Sequence, residues 1–303
     1  MNLEFSVVNT DLALQEVKTF CGDSTSDIAV IDHGHDNLVV TANHEFVFRF
    51  PRNVGAAQRL RYEIELLEFL KGKITSVPIS ELVSVSSDPF YAVMRFCSGT
   101  HMAYEEIIAL KNEDQMVIGR QLAEFVAEFS RVVSPAEINK LRKSSGVKDA
   151  RATWKQYFQQ VFFDQPLPDK RLKPIVEEYY AKWRELTAKE LATFSIHDDL
   201  HPANVLFAGG KVTAILDFSD ATVGSIEEEM RGVYRMGDVV ARTAISHYQH
   251  LTDHVLDYEN VKVWAIMNDL VRFTRYLGDG QTDQPMFLLA RQNLRRWTKD
   301  FPL

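Results

Sequence analysis

Residues 195–204 read Ser195-Ile196-His197-Asp198-Asp199-Leu200-His201-Pro202-Ala203-Asn204, and a second stretch further on reads Ile215-Leu216-Asp217-Phe218-Ser219-Asp220. Between them, Asn204-Val205-Leu206-Phe207 and Val212-Thr213-Ala214-Ile215-Leu216 flank Ala208-Gly209-Gly210-Lys211. Paired glycines tolerate positive φ at both turn positions, so the spacing predicts a hairpin with a two-residue turn. In the simplest register Ala208 pairs with Lys211, Leu206 with Thr213 and Asn204 with Ile215. Asp217 then shares a face with Asn204 as its diagonal neighbour, the backbones about 7–8 Å apart. Two side-chain oxygens so placed suit a magnesium ion, which takes hard oxygen ligands at about 2.0–2.1 Å and keeps waters and phosphate oxygens for the rest of its shell. Asn204 and Asp217 are the expected metal ligands.

Asp199 precedes Asn204 in a loop punctuated by Pro202. It is expected to face the same cleft, where a carboxylate accepts the proton of a substrate hydroxyl and aims it at a phosphate. His197 is expected to brace the loop backbone, Asp198 to point away from Asp199, and His201 to be an ordinary loop residue.

The chain has 303 residues, 46% of them hydrophobic, enough for two lobes with a proper core. Its formal net charge of −8 argues against a nucleic-acid partner. That charge serves solubility in many proteins, and it also suits a cationic substrate. Two distant cysteines, Cys21 and Cys97, fit a reducing cytoplasm. No apolar run approaches the ~18 residues of a membrane helix, and the start of the chain lacks the pattern of a signal peptide. The sequence contains no repeat and no low-complexity segment, and a monomer or weak dimer is expected.

The first third reads as strands over 27–32, 38–41, 46–50, 82–86 and 90–96. Alternation puts Phe46, Phe48 and Phe50 on one face and Val47 and Arg49 on the other. A helix over about 54–70 carries Leu60, Ile64 and Leu67 in one apolar row, widened by Leu66 and Leu70. Glu63 falls on or beside that stripe. A buried carboxylate needs a cation, and Arg49 is the natural one; exposure at the stripe's edge is the alternative. Further helices are expected over 121–133, 148–163, 174–192, 227–248 and 258–276. The picture is an α+β chain. A small antiparallel β lobe with one helix (1–98) ends in a hinge near 96–99, and a larger helical lobe (99–303) follows.

Taken together, these residues resemble the aminoglycoside phosphotransferase family, which has a two-lobed protein-kinase-like fold. The family pattern of His-Gly-Asp, an Asn five residues after that Asp, and a distant Asp-Phe maps onto His197, Asp199, Asn204 and Asp217. Gly34-His35-Asp36-Asn37-Leu38-Val39 is similar to the family's nucleotide-covering loop. Phe46 to Arg52 is similar to its third strand, Glu63 to its helix glutamate, and Gly99 to a glycine after the hinge. The resemblance implies ATP or GTP with Mg2+ as cofactors. It implies Asp199 as catalytic base, nucleotide contacts from Gly34, Asn37, Arg49 and Glu63, and adenine or guanine held by hinge backbone at Arg95, Phe96, Cys97 and Ser98. Glu229, in the place of a family Asp, is expected to support the catalytic-loop backbone. Glu227, Glu228, Trp264 and Asp269 are candidates for a cationic acceptor, set against a solvated helix start for the two glutamates, core packing for Trp264 and solvent for Asp269. Two departures stand out. Asp198 replaces the family glycine, and Arg49 stands where kinases use Lys.

The resemblance implies a small-molecule kinase, aminoglycoside phosphotransferase-like and thus antibiotic-resistance-like in type. A kinase for another alcohol (macrolide, choline, homoserine-like) and a non-catalytic nucleotide-binding regulator are the alternatives. A metal-dependent hydrolase fits poorly, because Asn37 and Leu38 occupy the places where a His-x-His-x-Asp-His cluster needs Asp and His.

Overall fold

The computed structural model describes residues 7–22, 25–32, 36–147, 154–188, 193–299 and 301–303. Helix α1 (Thr10–Cys21) opens the chain, capped by the Asn9 side chain accepting from the Leu12 N–H at 2.9 Å. Strands β1 (Ile28–Ile31), β2 (Asn37–Ala42) and β3 (Phe46–Pro51) lead to helix α2 (Val54–Leu70), and β4 (Leu82–Ser87) and β5 (Phe90–Arg95) complete the lobe. The strands form one antiparallel sheet in the order β1-β2-β3-β5-β4. Phe48 and Phe50 face outward as the alternation requires, and α1 covers them with Ala13 and Val17. The sequence reading contained no α1, although Asn9 followed by apolar Ala13 and Val17 is its cap and its buried row.

The larger lobe runs through α3 (Tyr104–Ile108), α4 (Asn112–Val132), α5 (Pro135–Ser144), α6 (Trp154–Phe162) and α7 (Lys173–Thr187). It continues through β6 (Phe194–Ile196), β7 (Val205–Ala208), β8 (Lys211–Ile215) and β9 (Thr222–Gly224), then α8 (Ile226–Tyr234), α9 (Asp238–Thr252), α10 (Tyr258–Gly278) and α11 (Pro285–Trp297). The single helix expected over 227–248 is two helices. Gly237 breaks it with φ of 110°, a conformation closed to most side chains. The first turn expected over 148–163 lies outside the described residues, as does the end expected at 192. No helix among the described residues is long and apolar enough to cross a membrane.

Among the described residues, three apolar clusters form the core. One joins α1 to the outer face of the sheet. A second packs α6, α7, α10 and α11. The largest joins α2 to α4, α8 and α9, so Leu60, Tyr62 and Leu66 share a core with Phe125, Phe129 and Phe218 of the other lobe. Polar contacts reinforce that junction. The Tyr62 hydroxyl donates to Ala221 O at 2.7 Å. Glu128 of α4 accepts from the backbone N–H groups of Thr75 and Ser76, both at 2.9 Å, and from the Thr75 hydroxyl. Burial opposes the Glu128 charge, but those donors outweigh it and hold its pKa below the ordinary value.

A carboxylate with a depressed pKa adds stability above the unfolded-state value of about 4.3 and loses it as pH falls through the folded one. Glu128→Gln is therefore expected to lower unfolding free energy by about 1–3 kcal/mol at pH 7. The variant should also show a smaller loss of stability than the parent between pH 5 and pH 3. Urea unfolding across that range checks both.

Candidate active site

The chain leaves β6 at His197, whose ring is fully buried and lies edge-on to Phe218 with centroids 4.7 Å apart. Its Nε2 meets Leu216 O at 3.1 Å, and the Asp199 N–H donates to Nδ1 at 3.3 Å. That pairing places the single ring proton on Nε2. Burial pushes the His197 pKa down, which favours the neutral ring this arrangement needs. The side chain ties the 197–204 loop to the end of β8.

Asp198 has φ of 67°, which is why a glycine suits this position. Its carboxylate points inward. Arg231 of α8 pairs with Asp198 Oδ1 at 2.6 Å and donates to the Asp198 carbonyl at 2.7 Å. The Asp198 N–H donates to Glu229 Oε2 at 2.7 Å. Carboxylate, carbonyl and N–H of one strained residue are thus all held by α8. Gly232 lets that helix approach, since a Cβ there would sit 2.2 Å from Leu200 O.

Asp199, Asn204 and Asp217 line one cleft of about 560 Å3 between the lobes. The hairpin that brings them together has its Gly209-Gly210 turn and pairs Ala208 with Lys211, but its register differs from the simple one. A bulge at Thr213 shifts the ladder, so Leu206 pairs with Ala214 and Val205 with Ile215. Asn204 then lies opposite Leu216, whose N–H donates to Asn204 O at 2.9 Å. Strand alternation does not deliver Asp217; its own φ of 61° turns it into the cleft. The extra residue has a use. The Thr213 hydroxyl donates to Ser98 O at 2.8 Å, and a Cβ on Gly99 (φ 137°) would lie 2.4 Å from the Thr213 hydroxyl oxygen.

The Asn204 amide nitrogen donates to Asp199 O at 3.0 Å and to Asp199 Oδ2 at 2.8 Å, leaving its oxygen for the cleft. His201 Nε2 lies 3.3 Å from Asp199 Oδ1, and its Nδ1 accepts from the Ala203 N–H. Burial alone would raise the Asp199 pKa. The contact with His201 and the nearby Arg272 guanidinium overcome it and hold the carboxyl far below its ordinary value. Asp217 is likewise lowered: Arg49 and the Ser219 contact outweigh its burial. Among the described residues no three His, Cys, Asp or Glu side chains form a metal cage. An amide oxygen and one carboxylate facing an open cleft fit a cation that keeps waters and phosphate oxygens, as magnesium does.

Across the cleft, Arg49 donates through one nitrogen to both Glu63 oxygens at 2.6 Å, and its other terminal nitrogen lies 3.4 Å from Asp217 Oδ1. Glu63 is wholly buried and also accepts from the Phe218 N–H at 3.1 Å. Burial raises the Glu63 pKa to about 7, against the pull of Arg49, while Glu63 and Asp217 raise that of Arg49.

Asn37 is buried in the cleft wall, and its Oδ1 has no hydrogen-bond partner. Gly34 lies outside the described residues. Of the expected hinge contacts, the Arg95 and Phe96 N–H groups are taken by Glu81 O and Glu45 O, both at 2.8 Å. The Ser98 carbonyl is taken by Thr213, and Ser98 does not line the cleft. Cys97 does, and among the described residues its N–H has no acceptor.

A family model described as "Phosphotransferase enzyme family" matches residues 27–282. The chain belongs to this family. The fold agrees: aminoglycoside 2'-phosphotransferase-IIIa, solved with GDP, has 21% identity and a TM-score of 0.77 over 96% of this chain and 98% of its own. APH(2")-IIa, solved with streptomycin and ATP, has 15% identity and a TM-score of 0.67, covering 95% and 97%. The macrolide 2'-phosphotransferase MphH from Brachybacterium faecium, solved as apoenzyme, has 17% identity and 0.67 over 94% and 97%. Among curated proteins, no sequence matches.

In this phosphotransferase the four residues expected to meet a cationic acceptor do not line the cleft that holds Asp199. Asp269 is neither solvated nor available: it is 1% exposed and held by Arg235 and Asn293. Glu227 and Glu228 are buried too, because α8 packs on all sides; Glu228 accepts from the Trp154 indole. Trp264 packs against Trp154 and Trp183. The charge argument for a cation therefore loses its local support.

Two residues that matter were missed. His201 had a signal, a His before Pro at a tight turn. Arg231 had none, since its helix was expected to be solvated at its start. Arg231→Met is expected to destabilise the fold by about 3–5 kcal/mol, because it leaves Asp198 buried without its cation. Adding Asp198→Gly should recover most of that loss. Thermal unfolding of both single variants and the double variant measures the coupling.

Proposed function

We propose that this phosphotransferase is a magnesium-dependent small-molecule kinase, moving the γ-phosphoryl group of ATP or GTP to an acceptor hydroxyl. The observation that carries the reading is the convergence of Asp199, Asn204 and Asp217 in one cleft, facing Arg49 and opening at the Cys97 backbone. The base of the nucleotide pairs with the free hinge N–H of Cys97, and Asn37 offers an unused polar oxygen in the same wall. Arg49, held in place by Glu63, meets phosphate oxygens; a guanidinium does this with planar, directional donors. Asn204 and Asp217 would hold the magnesium ion, which when bound neutralises charge on the phosphates.

The Asp199 carboxylate orients the acceptor. A group held so acidic is a poor proton acceptor before transfer begins. Its work is to align the hydroxyl and take the proton late, which suits a loose phosphoryl-transfer transition state. His201 and the Asn204 amide fix both carboxylate oxygens for that task. Most of the rate then comes from positioning and fixed charge.

A second reading is a nucleotide-binding regulator without turnover. It is favoured by Arg49, which reaches Asp217 and so competes for the carboxylate proposed to hold the metal. An acceptor panel of aminoglycosides, macrolides, choline and homoserine, with coupled detection of ADP or GDP, decides between the two. Magnesium-dependent thermal stabilisation by nucleotide with no turnover on any alcohol would favour the regulator.

For the kinase, Asp199→Asn is expected to cut kcat by about 10²–10⁴-fold while calorimetry shows nucleotide binding unchanged. Arg49→Lys keeps the charge but loses the two-nitrogen bridge. It is expected to raise the nucleotide Kd by about tenfold, with kcat for any accepted alcohol changed less.

A further inference from the structure

A second cavity, of about 570 Å3, lies in the helical lobe between α5, α6, α7, α10 and the β9–α8 segment. Asp199 does not line it. Its apolar wall is an array of three indoles. Trp264 meets Trp154 at 6.1 Å and 72°, and Trp183 at 5.7 Å and 89°. The chain contains only four tryptophans, so this concentration is not a sampling of its composition. The indole N–H groups of Trp183 and Trp264 are buried and have no acceptor.

The charges around the cavity are opposite to those of the chain. Arg142, Lys143 and Lys155 line it, and among the described residues none of the three is in an ion pair. Arg142 spends one nitrogen on Ala221 O at 2.9 Å, a neutral acceptor. The one carboxylate in the lining, Glu228, accepts from Trp154 and lies 4.0 Å from Arg231. In a protein of net charge −8, a cavity whose described lining has three cations outside ion pairs and one engaged acid favours anions.

The cavity also touches the catalytic loop from behind. The Arg231 guanidinium lies 5.5 Å from the centre of the Trp154 ring and grips Asp198, the residue before Asp199. Thr222 in its wall pairs with Ile196 of β6, one residue before His197.

We propose that this cavity binds an organic anion with a flat apolar body, an aromatic or fused-ring carboxylate. Its rings lie against Trp154 and Trp264, and its charge is met by Arg142, Lys143 and Lys155. The binding stands whether or not the kinase reading holds; its effect on turnover, as acceptor or as effector, rests on that reading.

Calorimetry with a matched pair tests it: hydroxymethyl-naphthoate and the corresponding hydroxymethyl-naphthylmethylamine, which share a skeleton and a hydroxyl and differ in charge. Saturating ADP and magnesium keep both out of the nucleotide cleft. The acid is expected to bind at least about tenfold more tightly than the amine. Lys143 and Lys155 are exposed, so Lys143→Glu with Lys155→Glu leaves the fold intact. In that double variant the acid should lose at least about tenfold in affinity and the amine should gain. Equal affinities, no binding of the acid at millimolar concentration, or an affinity untouched by the charge reversal would each overturn the proposal. Asp199→Asn protein should bind the acid normally, so loss of phosphoryl transfer and loss of this site are separate results. With ATP in place of ADP, a phosphorylated naphthoate marks the cavity as the acceptor pocket. Changed turnover of another acceptor, with the naphthoate unconsumed, marks it as an effector site.

Discussion

The buried carboxylate of Glu63 is the point on which the two lobes depend. It has no access to water, and it is satisfied by a guanidinium from β3 and a backbone N–H from Phe218. Together with α2, which carries Glu63, those partners join three separate segments of the chain. A charge in that position is stable only when all three are in place, because an unpaired buried carboxylate is costly. Glu63 therefore makes the orientation of α2, the reach of Arg49 and the backbone beside Asp217 into one event. The apolar side of α2 makes the same connection by packing Leu60 and Leu66 into the core of the helical lobe.

Two aspartates of the candidate site sit on strained backbone, and the surroundings hold the strain. Asp198 and Asp217 both have positive φ, which costs a non-glycine residue about 1 kcal/mol or more. At Asp217 the turn itself aims the carboxylate into the cleft. At Asp198 the turn exposes backbone groups that α8 collects through Glu229 and Arg231. An aspartate in place of glycine is workable here because a buried arginine neutralises it.

Much of this was readable from residue order. Phenylalanines on one face of β3 and Arg49 on the other follow from a period of two, and Glu63 follows from its place on the apolar stripe. The Gly209-Gly210 turn is local chemistry and formed as expected. The bulge at Thr213 was hidden, because it answers to Gly99 and Ser98, far away in sequence. The burial of α8 was hidden for the same reason. Glu227 and Glu228 read as a solvated helix start until α9, α10 and the 197–204 loop close around α8.

Sequence alone pointed to the family, to the five strands and one helix of the small lobe in their order, and to the polar residues expected to meet a phosphate and a hydroxyl. Spacing and turn chemistry are properties of neighbours along the chain, so they survive without a third dimension. Tertiary structure decided which acids are free to act. Asp199 faces a cleft, while Glu228, Glu229 and Asp269 are consumed by an indole, a backbone N–H and an arginine. A carboxylate's role is set by what desolvates it and what neutralises it, and both come from segments that meet only when the chain folds.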